Sequence, residues 1–212
     1  NRIQILKEKM LSQPRYVSIE QALIITKTYK QHENEPIILK RAYALANALR
    51  ELEIGIENEE LIVGNRTKGV RYGVVFPESG ISWVDREFET ISTRKQDKFL
   101  VRDEDIKIFR EQIVPYWKGK SLEDVIKQNF GKEISAINKV VKINQTDHAQ
   151  GHICPNVEKW LQKGVSGLLE DAQNHYKNAD EDKKNFYQAI IIVMKAVQNF
   201  MLRYHDLLIA TA

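Results

Sequence analysis

Cysteine is almost absent from this sequence, because Cys154 is the single cysteine in 212 residues. An internal disulfide is therefore excluded. The longest strongly apolar run, residues 189–196, contains Lys195 and is far shorter than the ~20 residues that cross a bilayer. A basic and then apolar leader with a small-residue cleavage site is also missing. We therefore expect a cytoplasmic protein that does not bind a membrane.

A large excess of one charge is missing as well. The sequence has 32 Lys and Arg against 29 Asp and Glu, which leaves a formal net charge of +3. The basic residues alternate with acidic ones, whereas a phosphate-binding surface needs them gathered on one face. We therefore predict no nucleic-acid partner.

The common phosphate and nucleophile motifs are not found. The sequence has no G-x-x-x-x-G-K-[ST], no G-x-G-x-x-G and no G-x-S-x-G. A glycine-lined phosphate cradle and a serine nucleophile turn are both unsupported. Nucleotide binding and serine hydrolysis are not expected.

The spacing of apolar residues predicts a mainly helical fold. Leu61 to Gly64 is compatible with a short buried strand or an extended connector, and Pro115 is expected to end the helix before it. We expect a single helical region, residues 1–212, with at most one or two short strands. The predicted helices cover residues 2–11, 19–29, 37–52, 82–93, 103–114, 122–130, 157–176 and 182 to the end.

The polar stretch 144–156 looks the most functional. His148, His152 and Cys154 could hold a metal, but Ala149 replaces the glutamate of an H-E-x-x-H site and Gly151 disfavours a helix. The alternatives are a histidine that caps backbone groups beside a solvated one, or contact with a substrate. We predict no metal site, and we expect Cys154 to be a small buried apolar residue.

Gly164 and Gly167 lie inside a predicted helix. A glycine in mid-helix costs roughly 1 kcal/mol relative to alanine. Two of them predict that another backbone packs close to this helix.

Several segments, taken in order along the chain, resemble glycyl radical dehydratases of the pyruvate formate-lyase-like superfamily. They include the motifs F-P-E-x-x-x-x-W, R-x-x-D-x-F, Y-W-x-G-K and G-H followed by an aliphatic residue. A colinear series is far more specific than any single motif. The matching segments are 18–22, 26–30, 36–42, 56–65, 76–83, 94–99, 116–120, 151–153 and 159–167.

The resemblance implies that the chain is the helical amino-terminal part of a larger α/β-barrel enzyme, most similar to the glycerol and diol dehydratase branch. It implies a glycyl radical installed by a radical-SAM activating enzyme, a barrel cysteine oxidised to a thiyl radical, and a homodimer in full length. The barrel with that cysteine and the carboxy-terminal glycyl domain are expected to be absent from this chain. Accordingly, we expect no catalytic residue, no bound cofactor and no activity in the chain alone.

The resemblance also suggests substrate contacts. The histidine of the G-H motif corresponds to His152, which would contact a substrate hydroxyl. His148 and Gln150 lie where the dehydratases have other residues, and they suggest a small polar or anionic substrate. The substrate itself remains open.

Three functions are compatible with these observations. The leading one is a radical lyase or dehydratase that cleaves a C–O, C–N or C–S bond of a small polar molecule. The second is acyl transfer after C–C cleavage, as in pyruvate formate-lyase (formate C-acetyltransferase). The third, of another class, is a stand-alone helical interaction module.

Overall fold

A computed structural model describes residues 1–141 and 154–211. The described chain is mainly helical with two short parallel strands, which confirms the predicted fold class. It divides into two compact units. The first comprises Asn1–Glu8, Lys27–Val70 and the described residues from Cys154 onward, and the second comprises Lys9–Thr26 and the described residues from Arg71 to 141.

Helices and strands follow the amphipathic patterns of the sequence, with differences described below. The helices are α1 (Arg2–Ser12), α2 (Glu20–Gln31), α3 (Ile37–Glu51), α4 (Ser82–Glu87), α5 (Asp103–Ile108), α6 (Val114–Trp117), α7 (Leu122–Ile137), α8 (Val157–Lys177) and α9 (Glu181–Thr211). The strands are β1 (Tyr16–Ser18) and β2 (Tyr72–Val74), and a π-helical turn spans Phe109–Ile113. None of the described helices combines the length and the hydropathy that a membrane span requires.

In the first unit, α3 and α9 pack side by side. Leu39 and Ala42 form a buried cluster with Ala189, and the small alanines let the two helices approach closely. At the other end of the pair, the Arg203 guanidinium donates to the carbonyls of Leu49 and Leu52, at 2.7 Å each. Because both contacts advance along the two sequences together, α3 and α9 run in parallel.

The last turn of a helix leaves carbonyl groups without partners inside the helix. Arg203 satisfies two carbonyls at the end of α3 from a distant part of the chain. The next residue, buried Tyr204, uses its hydroxyl to accept from the Asn65 backbone N–H at 3.1 Å and to donate to its carbonyl at 3.3 Å. α9 therefore fixes both the end of α3 and the connector that follows it.

α8 and α9 form an antiparallel pair. His175 stacks on Tyr187 with ring centroids 5.3 Å apart, and Gln198 donates to the Ser166 hydroxyl at 3.0 Å. The contact residues run backward on α8 as they advance on α9. The short Asn178-to-Asp180 connection between the helices requires this orientation.

The apolar run from Leu61 to Gly64 is a connector, not a strand. Leu61 and Ile62 are 77% and 92% exposed, and Gly64 has φ +124°. The strands lie elsewhere, in the second unit, where Tyr16 pairs with Tyr72 and Val17 pairs with Gly73.

Pro115 does not end its helix, so that prediction is wrong. The Val114 N–H donates to the Phe109 carbonyl, five residues back, which widens the helix into a π turn. A proline ring clashes with the carbonyl four residues earlier, and a wider turn relieves this clash. The helix continues through Pro115 to Trp117, and Phe109, Ile113 and Trp117 are all buried along it.

Candidate functional site

The predicted substrate contacts His148, Gln150 and His152 lie outside the described residues. The structure describes the chain on either side. α7 ends at Ile137, seven residues beyond the predicted end at Phe130. After the segment that contains the three residues, the described chain resumes at Cys154.

Cys154 is exposed, which makes the expected burial of this side chain wrong. It lies shortly before α8, and the described residues from Cys154 to the first turns of that helix are all exposed. Two residues later, the Asn156 side chain accepts from the Lys159 backbone N–H at 3.0 Å. This N-cap fixes the first residue of α8, because the amide oxygen replaces a missing intrahelical acceptor.

The F-P-E motif of the family resemblance lies in the second unit and contacts the beginning of α7. The Leu122 N–H donates to the Glu78 carbonyl at 2.9 Å, and the Glu123 N–H donates to the Ser79 carbonyl at 3.0 Å. The F-P-E segment is thereby joined to the beginning of α7. The motif and the beginning of α7, about forty residues apart in sequence, form one packed element.

Gly80 is the point of closest approach in this element. A methyl carbon placed on Gly80 would lie 2.6 Å from Trp83 Nε1 and 3.1 Å from Glu123 Oε2. Both distances are shorter than ordinary van der Waals contacts, so only glycine fits without displacement. The tryptophan of the F-P-E-x-x-x-x-W motif packs directly against this position.

Glu123 is a carboxylate that sequence reasoning missed. It is 5% exposed, its Oε1 pairs with Lys127, and its Oε2 is buried without a hydrogen-bond partner among the described residues. Buried acids of this kind are rare in native proteins. Its position in the first turn of α7 predicts only a favourable dipole interaction, and its burial depends on contacts distant in sequence.

The Y-W-x-G-K segment is fixed from both sides. Trp117 Nε1 donates to the Thr26 hydroxyl at 2.8 Å, and that hydroxyl donates to the Ala22 carbonyl at 2.6 Å. On the other side, Asp124 accepts from the Gly119 N–H at 2.9 Å and from the Ser121 hydroxyl at 2.8 Å. Ser121 is also the N-cap of α7, because its oxygen accepts from the Asp124 N–H.

The described contacts of these residues stabilise the local structure of the second unit. Trp117 is buried and donates to the Thr26 hydroxyl, and Glu123 is buried and pairs with Lys127. Within residues 1–141 and 154–211, no group of three or more His, Cys, Asp and Glu side chains is placed to hold a metal ion. The F-P-E and Y-W-x-G-K motifs form a hydrogen-bonded frame in the second unit.

Comparison with known proteins identifies the family. Residues 1–212 match the pyruvate formate lyase-like family. The (2S)-3-sulfopropanediol dehydratase of Klebsiella oxytoca is 27% identical over 97% of this chain and 26% of its own length. The glycerol-bound structure of the B12-independent glycerol dehydratase from Clostridium butyricum is 30% identical, with a TM-score of 0.89 over 97% of this chain and 27% of that one. A glycyl radical enzyme from Archaeoglobus fulgidus is 30% identical, with a TM-score of 0.86 over 98% of this chain and 28% of that one.

The chain has a helical fold that contains these motifs, and it matches this family along its whole sequence. Together these features define the scaffold of a glycyl radical enzyme. The chain belongs to the pyruvate formate lyase-like family. It spans about a quarter of the length of the relatives that it matches.

Proposed function

We propose that this chain is the amino-terminal part of a glycyl radical enzyme whose complete protein is a lyase or dehydratase. The complete enzyme would cleave a C–O, C–N or C–S bond of a small polar substrate. The single observation that carries this proposal is the family match across residues 1–212. The dehydratases that the chain resembles, which are named for sulfopropanediol and glycerol, support the reaction class.

The radical groups are proposed to lie outside this chain. The whole sequence has one cysteine, Cys154, which is exposed and followed by Pro155. We assign it no catalytic role. In the complete enzyme, a radical-SAM activating enzyme would generate a glycyl radical. That radical would take the thiol hydrogen atom of a barrel cysteine, and the resulting thiyl radical would abstract a hydrogen atom from the substrate. We therefore propose that residues 1–212 form part of one larger domain, that the complete enzyme is a cytoplasmic homodimer, and that this chain alone is inactive.

His152 is proposed to contact a substrate hydroxyl, and Gln150 and His148 to line the same pocket. Loss of a hydroxyl group has to be guided by oriented hydrogen bonds, because charge develops on the departing oxygen. A histidine supplies either a donor or an acceptor at that oxygen. The side-chain amide of Gln150 would add both a donor group and an acceptor group.

The test is the variant His152→Ala in the complete, activated enzyme. Glycyl radical content, measured by electron paramagnetic resonance, should remain at the wild-type level. The kcat for a diol or related substrate should fall by about 100-fold, the low end of the contribution of a positioned acid or base. His205→Ala is the matched control, because His205 is an exposed histidine of α9 and its loss should leave both measurements unchanged.

Wild-type turnover with intact radical in the His152→Ala variant would assign this histidine a structural role. Formation of an acetylated product from pyruvate, with no activity on diols, would instead support acyl transfer. A natural reading frame that stops at residue 212 would contradict the enzyme proposal and favour an interaction module.

A further inference from the structure

In the second unit, two residues of the R-x-x-D-x-F motif contact Arg15. Asp97 Oδ1 lies 3.1 Å from Arg15 Nη1, and the Arg15 guanidinium carbon lies 4.5 Å from the centre of the Phe99 ring. The Leu100 N–H, next in the chain, donates to the Arg15 carbonyl at 2.7 Å. The motif therefore holds both the side chain and the backbone of this arginine.

Arg71 lies opposite Arg15 across the two parallel strands. Each arginine immediately precedes its strand, and the Tyr16 N–H donates to the Arg71 carbonyl at 3.1 Å. Tyr16 pairs with Tyr72, and their rings stack with centroids 5.5 Å apart. Successive strand residues point to opposite faces, so the residues before the two tyrosines share the other face. Arg15 and Arg71 are therefore neighbours on one face of the sheet.

The Phe99 ring lies across this same face. A methyl carbon on Gly73 would lie 3.1 Å from Phe99 Cε1, so the missing side chain makes room for the ring. Gly73 is two residues after Arg71, which places the two residues on the same face. The ring that contacts Gly73 also contacts the Arg15 guanidinium. The aromatic ring therefore supports Arg15 on the face that Arg71 shares.

The described contacts compensate the two positive charges only in part. Like charges directly opposite each other on neighbouring strands are destabilising, and a guanidinium keeps its proton in proteins. Asp97 contacts Arg15 through one oxygen, and its side chain is 81% exposed, so water weakens this ion pair. Within residues 1–141 and 154–211, Arg71 forms no ion pair, and its buried Nε has no hydrogen-bond partner. The guanidinium of Arg71 is thus partly removed from water without a described anion beside it.

We propose that Arg15 and Arg71 together bind an oxoanion, such as a phosphate group, on this face of the sheet. The planar fork of an arginine matches the oxygens of a phosphate or a carboxylate, and two forks on adjacent strands can hold one anion from two sides. The anion would also remove the repulsion between the two guanidinium groups. The site uses none of the groups that the radical chemistry requires, so it goes beyond the proposed function.

Equilibrium dialysis of the complete protein against radiolabelled inorganic phosphate tests the site. Wild-type protein should show saturable binding. The Arg71→Gln variant should bind phosphate about tenfold or more weakly, because charge-assisted hydrogen bonds are lost. Arg86→Gln is the matched control, since Arg86 is an exposed arginine of α4, and this variant should bind like the wild type.

The variant Asp97→Asn makes a prediction that a folding defect cannot imitate. Asp97 competes with the anion for Arg15, and asparagine also tolerates the φ of 50° at this position. Loss of an exposed ion pair of this kind should tighten phosphate binding by about two- to fivefold. Asp182→Asn, which removes an exposed aspartate of α9, controls for the change in net charge and should leave the affinity unchanged. Unchanged affinity in Asp97→Asn would overturn the role of Arg15.

Sulfate and acetate, added as competitors, identify the kind of oxoanion. Displacement of phosphate by sulfate alone would assign the site to tetrahedral groups, and displacement by both would extend it to carboxylates. Absence of saturable binding, or wild-type affinity in Arg71→Gln, would overturn the proposal. An equal loss in Arg71→Gln and Arg86→Gln would also overturn it, because it would indicate non-specific attraction to basic residues. The assay needs neither the glycyl radical nor turnover, so its outcome is independent of the proposed function.

Discussion

Two glycine-to-alanine variants should change stability in opposite directions. At Gly80, the added methyl would lie 2.6 Å from Trp83 Nε1 and 3.1 Å from the Glu123 carboxylate, so neighbouring groups must move. Overpacking of a buried site typically costs about 1–3 kcal/mol. At Gly131, inside α7, a methyl would meet no described atom within 4 Å, and alanine should stabilise the helix by about 1 kcal/mol. The two variants should therefore differ by about 2–4 kcal/mol.

Hydrogen exchange in the full-length protein measures both effects locally. Since every 1.4 kcal/mol is a factor of ten, Gly80→Ala should accelerate exchange of the Leu122 and Glu123 amides by about 5- to 150-fold. Gly131→Ala should slow exchange within α7 by about fivefold. If Gly80→Ala exchanges like the wild type, the motif segments are not packed as described. If Gly131→Ala destabilises α7, the position has a packing role that the described contacts do not include.

Three further predictions follow from other contacts. Arg203→Ala should remove two charge-assisted hydrogen bonds to the end of α3, at about 1.5 kcal/mol each, and accelerate exchange of the last α3 amides by about 100-fold; a change below threefold would contradict this cap. The hydrogen bond from Lys163, supported by nearby cationic groups, lowers the pKa of Asp171 below its usual range. Because the carboxylate is favoured in the folded state, the ion pair of Lys163 with Asp171 should be intact at neutral pH and be lost only in acid, below the ordinary pKa of an aspartate. A loss of amide protection in residues 157–163 between pH 7 and 5, after correction for the intrinsic exchange rate, would contradict this assignment. The isolated 212-residue chain should bind a hydrophobic dye or self-associate through its exposed apolar residues, and a compact monomer without dye binding would favour an independent module.

The sequence predicts the helices well because each carries a local amphipathic period. The strands are different, since Tyr16 pairs with Tyr72 and no local pattern indicates so distant a partner. The sequence also fails to predict that a helix continues through Pro115, because the cause again lies in tertiary packing. A proline normally ends a helix, but buried Phe109 and Ile113 favour continuation by packing, and the π turn removes the clash.

The candidate site is predicted less completely. The role of His152 rests on resemblance to a motif and stays a prediction. The structure adds Glu123, whose burial comes from the F-P-E segment folding onto α7. The predicted close approach of a second backbone is not found at Gly164 among the described residues, since a methyl carbon placed there would meet no described atom within 4 Å. Its φ of 59° and ψ of −175° require glycine instead. A glycine required for its backbone angles and a glycine required for close packing look alike in sequence.

The bond from Arg203 to Leu49 joins residues 154 positions apart. A ribosome that adds about 5–20 residues per second needs roughly 8–30 s to produce the intervening chain. During that interval, the carbonyls at the end of α3 lack the guanidinium of Arg203, and the alanine-rich face of α3 lacks the helix that covers it in the folded unit. The amino-terminal residues of this protein must therefore wait for α9 before their own unit is complete, which makes this interval the time at which a chaperone would be most effective.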